Sequence, residues 1–132
     1  MSTSAHGGPA PPRILVVDDA PAIRAALRGL LEDAGFTVVG EAGDGDQGVA
    51  MAARLAPDFV VMDLRMPGVG GLEATGRITA AGHGTRVLVF SAFDGPARER
   101  AALAAGASAF LAKGCRPELV IETLRALTGW TG

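Results

Sequence analysis

Three aspartates, a serine and a lysine are placed where they could act together in this 132-residue chain. Asp18 and Asp19 follow the apolar run Ile14-Leu15-Val16-Val17, and Asp63 follows Phe59-Val60-Val61-Met62. Ser91 follows the run at 87–90, and Lys113 ends the segment at 108–112. Each stands just past a stretch of strand length. If those stretches are parallel strands, their ends share one rim, and that rim is where open α/β sheets bind ligands. Two carboxylates about 5 Å apart repel by about 3 kcal/mol at an effective dielectric near 20, so three ionised together call for a cation. Lys113 offsets part of the charge. A hard divalent ion with oxygen preference completes it, which makes Mg²⁺ the expected cofactor and Mn²⁺ a tolerable substitute. Such a set suits phosphoryl transfer, with cations stabilising the phosphoryl oxygens while a carboxylate attacks in line. Asp63 stands alone and is the expected nucleophile; the adjacent Asp18 and Asp19 look like a metal-holding pair.

The elements that must position these groups alternate along the chain. Strands are expected at 14–17, 37–40, 59–62, 87–90 and 108–112. The first, third and fourth are continuously apolar, as strands covered on both faces should be. Between them run helical patterns. Ile23, Leu27, Leu30, Leu31 and Ala34 form one stripe, with Pro21 near its start and Gly35 after its end. A weaker stripe at 47–55 is ended by Pro57, and a third helix is expected at 71–81. The fourth, at 96–105, is alanine-rich and should pack shallowly. The last opens at Pro117, with Glu118 near its start and Arg125 near its end to suit the helix dipole. This βαβ alternation argues for a parallel sheet with helices on both faces.

Length and a 48% hydrophobic composition fit one compact domain. The net charge of −2 has no basic run behind it, so this segment is not expected to bind nucleic acid. No apolar run approaches the roughly 18 to 20 residues that would span a bilayer. Residues 1–12 are small, polar and rich in Pro and Gly, read as a disordered tail without signal-peptide character. The single cysteine, Cys115, cannot form an internal disulfide, which suits a reducing cytosol.

Four motifs in order carry a family resemblance: Val16-Val17-Asp18-Asp19; Val60-Val61-Met62-Asp63-Leu64-Arg65-Met66-Pro67-Gly68; Val89-Phe90-Ser91-Ala92; and Ala109-Phe110-Leu111-Ala112-Lys113-Gly114. Together they resemble the response-regulator receiver domain of two-component signalling, and the approach to Lys113-Gly114 is similar to its NarL-like branch. The resemblance implies a flavodoxin-like five-stranded sheet in the order 2-1-3-4-5, a receiver over 13–128, and a C-terminal tail or linker start at 129–132. It implies Asp63 as phosphoacceptor, Asp19 as a direct Mg²⁺ ligand, Asp18 acting mainly through water, and the Arg65 carbonyl as a further ligand. Ser91 and Lys113 would bind the phosphoryl oxygens. Phe110 would be the aromatic switch residue, in a position more commonly held by tyrosine. Arg65 and Ala92 would influence the phosphoryl lifetime. The implied partner is a histidine kinase and the location cytoplasmic; a homodimer on phosphorylation is a family expectation that the sequence does not decide, and the module catalyses only its own phosphorylation and dephosphorylation. DNA would be reached only through a separate output domain.

Plainer readings exist for each residue alone. Asp19 could cap the first helix, Asp63 could serve a turn, Ser91 could cap the fourth helix, and Lys113 could be solvated surface. Arg98, Glu99 and Arg100 read as a solvated helix face, while Trp130 either packs locally or begins a linker. Three other functions share parts of the inventory. A haloacid-dehalogenase-type phosphohydrolase would need Asp-x-Asp after its first strand, and a flavodoxin-like nucleotide binder would not place two carboxylates beside a phosphate. A receiver-like binding module that is never phosphorylated is the third.

Overall fold

A computed structural model describes residues 10–92 and 95–132; residues 1–9, most of the expected tail, lie outside the described residues. Five strands, β1 (Arg13–Val17), β2 (Thr37–Ala42), β3 (Phe59–Met62), β4 (Arg86–Ser91) and β5 (Ala109–Ala112), alternate with five helices. These are α1 (Pro21–Asp33), α2 (Gly45–Leu55), α3 (Gly71–Ala80), α4 (Pro96–Ala104) and α5 (Glu118–Thr128). The strands form one parallel sheet in the order β2-β1-β3-β4-β5, as the motif pattern implied.

The two faces follow from strand periodicity. Ile14, Val16, Phe59, Val61, Leu88 and Phe90 point to one side and pack against Leu27 and Leu31 of α1 and Val120, Ile121 and Leu124 of α5. Leu15, Val17, Val60, Met62, Val87 and Val89 point to the other, against Ala52 of α2, Ala74 and Ile78 of α3, and Ala102 of α4. Both faces are therefore covered, which is why the three inner strands read as unbroken apolar runs. Ala102 is the only fully buried side chain of α4, and Leu103 beside it is 46% exposed. Shallow packing of this helix matches its alanine-rich composition.

Helix ends agree with the local sequence to within two residues. The Asp44 side chain caps α2 by accepting the Gln47 N–H at 2.8 Å. Ala56 closes that helix at φ 46°, left-handed without being glycine; Pro57 follows, and the Ala56 carbonyl accepts from the Arg13 guanidinium at 3.0 Å. Pro117 flanks α5, whose first helical residue is Glu118.

β2 runs two residues past its expected end and contains a bulge. Ile14 pairs with Val38 but Leu15 pairs with Gly40, leaving Val39 as an extra residue. Beyond the bulge, Glu41 lies level with Val16 on the α1 face, and Ala42 joins Val17 on the opposite one. At the other end of the sheet Trp130 tilts against Phe36, with ring centroids 4.9 Å apart. Trp130 thus packs on the domain, and Pro12 near the start is buried, its carbonyl accepting from the Thr37 N–H at 3.1 Å.

Candidate functional site

The strand tips bring the predicted groups together. Asp63 follows β3 directly, and its N–H donates to the Val17 carbonyl at 2.9 Å, which ties the central strand to β1. The Asp18 N–H donates to the Ala42 carbonyl at 3.0 Å, and the Lys113 N–H to the Ser91 carbonyl at 2.9 Å. Sheet pairing therefore continues into the site residues themselves. A cleft of about 500 Å³ opens above them, lined by Asp19, Asp63, Arg65, Pro67, Ser91, Ala92 and Lys113 among others.

Burial separates the three carboxylates. Asp18 is buried below the cleft, Asp63 is 5% exposed at its floor, and Asp19 is exposed at its wall. One carboxylate oxygen from each lies within 4.8 Å of the others. Lys113 Nζ donates to Asp18 Oδ2 at 2.7 Å and stands 3.6 Å from Asp63 Oδ1. The Ala20 N–H donates to Asp18 Oδ1 at 2.9 Å, so both oxygens of Asp18 are occupied. The Asp19 carboxylate has no hydrogen bond or ion pair among the described residues. Burial, and next the Asp18 charge, push the Asp63 carboxyl above the ordinary aspartate range; Lys113 and the Arg65 backbone N–H pull against them.

Close backbone approaches hold the floor in place. A methyl group on Gly71, the first residue of α3, would come within 2.1 Å of the Asp63 carbonyl oxygen. One on Gly45, at the start of α2, would come within 2.0 Å of the Val69 carbonyl. The loop after Asp63 is thereby seated on two helix starts, as only glycine permits.

These placements discriminate among the plainer readings. Asp19 does not cap α1, whose N-cap is Ala20 without a side-chain bond, and Ser91 does not cap α4, whose N-cap is Gly95. Lys113 is 18% exposed and ion-paired rather than solvated. Phe110 is half-buried and packs on the α2–α3–α4 side of the sheet. Two neighbours of the site had no motif to mark them. Arg24 of α1 donates to the Asp18 carbonyl at 2.7 Å, and Glu41 of β2 receives Arg24 at 3.3 Å and Arg28 at 2.8 Å. Their only sequence signal is two arginines four apart beside an apolar stripe.

The response regulator receiver domain family matches residues 14–125. The chain belongs to this receiver family. It is 37% identical over 115 residues to the nitrate/nitrite response regulator protein NarL of Escherichia coli, covering 86% of this chain and 53% of that protein. It is 35% identical over 116 residues to the chemotaxis protein CheY of Thermotoga maritima, covering 88% and 97%. A crystal structure of a LuxR-family two-component response regulator from Aurantimonas superposes with a TM-score of 0.86 at 37% identity, covering 90% of this receiver and 86% of that chain. The receiver spans about half the length of the NarL-type relatives. Receivers are signalling modules rather than classical enzymes, and they bind Mg²⁺ at an acidic pocket; this chain has an acidic cluster of Asp18, Asp19 and Asp63. Among the described residues of this receiver no helix is long and apolar enough to cross a membrane.

Proposed function

We propose that this chain is a phosphorylation-dependent switch of a two-component system, with the phosphoryl group carried on Asp63. The observation that carries the reading is the floor of the cleft: a buried carboxylate with Lys113 Nζ 3.6 Å away and two further carboxylates within 4.8 Å. A carboxylate held above its ordinary pKa is a better nucleophile when ionised, and the open cleft gives a donor access to it. In the transfer, an Asp63 oxygen forms the bond to phosphorus as the bond to the donor breaks; from a kinase phosphohistidine the leaving group is imidazole, from acetyl phosphate it is acetate.

The donor set fits a divalent ion. Three carboxylates against one ammonium leave two negative charges, and every donor is a hard oxygen. Asp19 and Asp63 would hold Mg²⁺ with the Arg65 carbonyl, and Asp18, already bonded to Lys113 and the Ala20 N–H, would act from behind through water. When bound, the ion neutralises charge on the acceptor and the incoming phosphoryl oxygens. Lys113 would pair with a phosphoryl oxygen and Ser91 would donate a hydrogen bond to another. Drawing Ser91 and its loop inward would free space near β5 for Phe110, and the shallow α4 would shift. The receiver unit would span 13–128, with a histidine kinase as partner, a cytoplasmic location, and DNA reached only through a separate output domain.

Intact mass after incubation with acetyl phosphate and Mg²⁺ tests this, beside Asp63→Asn and an EDTA control. One phosphoryl group, about 80 Da by composition, is expected on the metal-loaded native chain alone. No addition would favour a receiver-like binding module that works without phosphorylation.

A further inference from the structure

Asp18 and Asp19 are held in different ways. Both oxygens of the Asp18 carboxylate are bonded, one to the Ala20 N–H and one to Lys113. The Asp19 carboxylate makes no such bond to a described residue, so beyond its own rotamer only the backbone it projects from sets where it can point. On either side that backbone is held by the Asp18 N–H on the Ala42 carbonyl and the Ala20 N–H on Asp18 Oδ1, and the peptide joining Asp18 to Asp19 is held by Arg24 Nη1, which donates to the Asp18 carbonyl oxygen at 2.7 Å, a short charge-assisted bond. The carbonyl of Asp18 and the N–H of Asp19 belong to one rigid peptide plane. Holding the oxygen therefore fixes the rotation of the plane from which Asp19 projects.

Arg24 is itself held. Its Nε meets Glu41 Oε1 at 3.3 Å, and the other oxygen of Glu41 takes Arg28 Nη1 at 2.8 Å. Arg28 also reaches Glu32 at 3.3 Å. Arg24 and Glu41 are both partly buried, with side-chain exposures of 21% and 29%. Glu41 is available on this face because the Val39 bulge carries it there. The group contains two guanidinium ions and two carboxylates, so its net field at the cleft is small and its action on Asp19 is geometric.

Resting on the metal-site reading above, we infer that Arg24 is a positioning residue for the Mg²⁺ site, setting the Asp18–Asp19 peptide so that the Asp19 carboxylate is pre-aimed into the cleft, with Glu41 as its anchor. The arrangement predicts a pattern of signs that charge alone cannot give. Losing Arg24 removes a cation and losing Glu41 removes an anion, so a purely electrostatic role would make Arg24→Ala tighten Mg²⁺ binding and Glu41→Gln weaken it. A positioning role makes both weaken it.

The test is calorimetric titration of the full chain with MgCl₂, for native, Arg24→Ala, Arg24→Lys and Glu41→Gln proteins, with metal-free melting curves alongside. The Mg²⁺ Kd is expected to rise about tenfold in Arg24→Ala, as for loss of other outer-shell partners. Glu41→Gln is expected to shift it the same way by less, because Gln still offers an oxygen to Arg24. Arg24→Lys should recover part of the loss, since one ammonium can reach the carbonyl or Glu41 but lacks the guanidinium fork. Opposite signs for Arg24→Ala and Glu41→Gln would overturn the inference, as would lowered melting temperatures with an unchanged Kd. If the native chain itself takes up no Mg²⁺, the metal-site reading fails and this inference falls with it. Should Arg24→Ala not fold, Glu41→Gln and Arg24→Lys carry the same comparison.

Discussion

Asp63 sits where burial and a second carboxylate both oppose its ionisation, and the molecule tolerates this at a cost. A carboxyl whose folded-state pKa is raised favours the fold fully below its unfolded value, and that advantage is lost as the pH rises through the folded one. At neutral pH the metal-free chain is thus less stable than it would be with a neutral side chain there. Asp63→Asn is expected to raise the unfolding free energy of the metal-free chain at pH 7 by on the order of 1–2 kcal/mol. The gap to the native protein should close as the pH is lowered through the carboxylate range. Urea melts across that range check it, and a gap that widens on acidification would contradict it. Asp18, Asp19, Asp63, Ser91 and Lys113 were legible from sequence because each follows an apolar run, and parallel pairing converts that position into a shared rim. Arg24 was not legible: its partner is a backbone carbonyl, and a carbonyl has no residue type to read.

Among the elements, β1, β3 and β4 were plain from composition, since coverage on both faces leaves only apolar residues acceptable. β2 was harder. Its bulge inserts one residue and exchanges the faces of everything after it, a change that alternation of residue types does not reveal. A strand ending at Gly40 would have left Glu41 in a loop, whereas it is an ordered member of the α1 network. α4 was readable from its alanine-rich run rather than from any apolar stripe, and its shallow seat is what the proposed switch requires. Phe110 lies half-buried on the same side of the sheet as Ala102. Phe110→Ala is expected to accept the phosphoryl group normally but to lose the change in amide exchange of α4 that the proposed switch predicts for the native chain. Its metal-free stability should fall by about 1–2 kcal/mol, less than for a fully buried phenylalanine. Exchange mass spectrometry on both proteins decides; an unaltered α4 response in the variant would remove Phe110 from the switch.

Across the whole molecule the two ends of the sheet do different work. The C-terminal rim concentrates unlike charges and the larger cleft, while at the N-terminal rim Arg86 and Trp130 line a smaller one of about 260 Å³ with Pro12 and Asp58. Arg86 lies 4.7 Å above the Phe59 ring and donates to the Leu127 carbonyl at 2.9 Å, fastening the end of α5 to β4. Because the acidic cluster is assembled only in the folded chain, Mg²⁺ should stabilise the whole domain. At ten times its Kd the expected gain is about 1.4 kcal/mol, read as a shift of the urea midpoint with an unchanged slope. A midpoint indifferent to Mg²⁺ would show that the cluster does not bind it. Trp130 is the only tryptophan in the chain, and it lies against Phe36 at the rim remote from the carboxylates. Its emission is therefore an optical gauge of whether the domain is folded that is blind to direct quenching at the acidic cleft, so light can follow unfolding while heat and mass follow the switch.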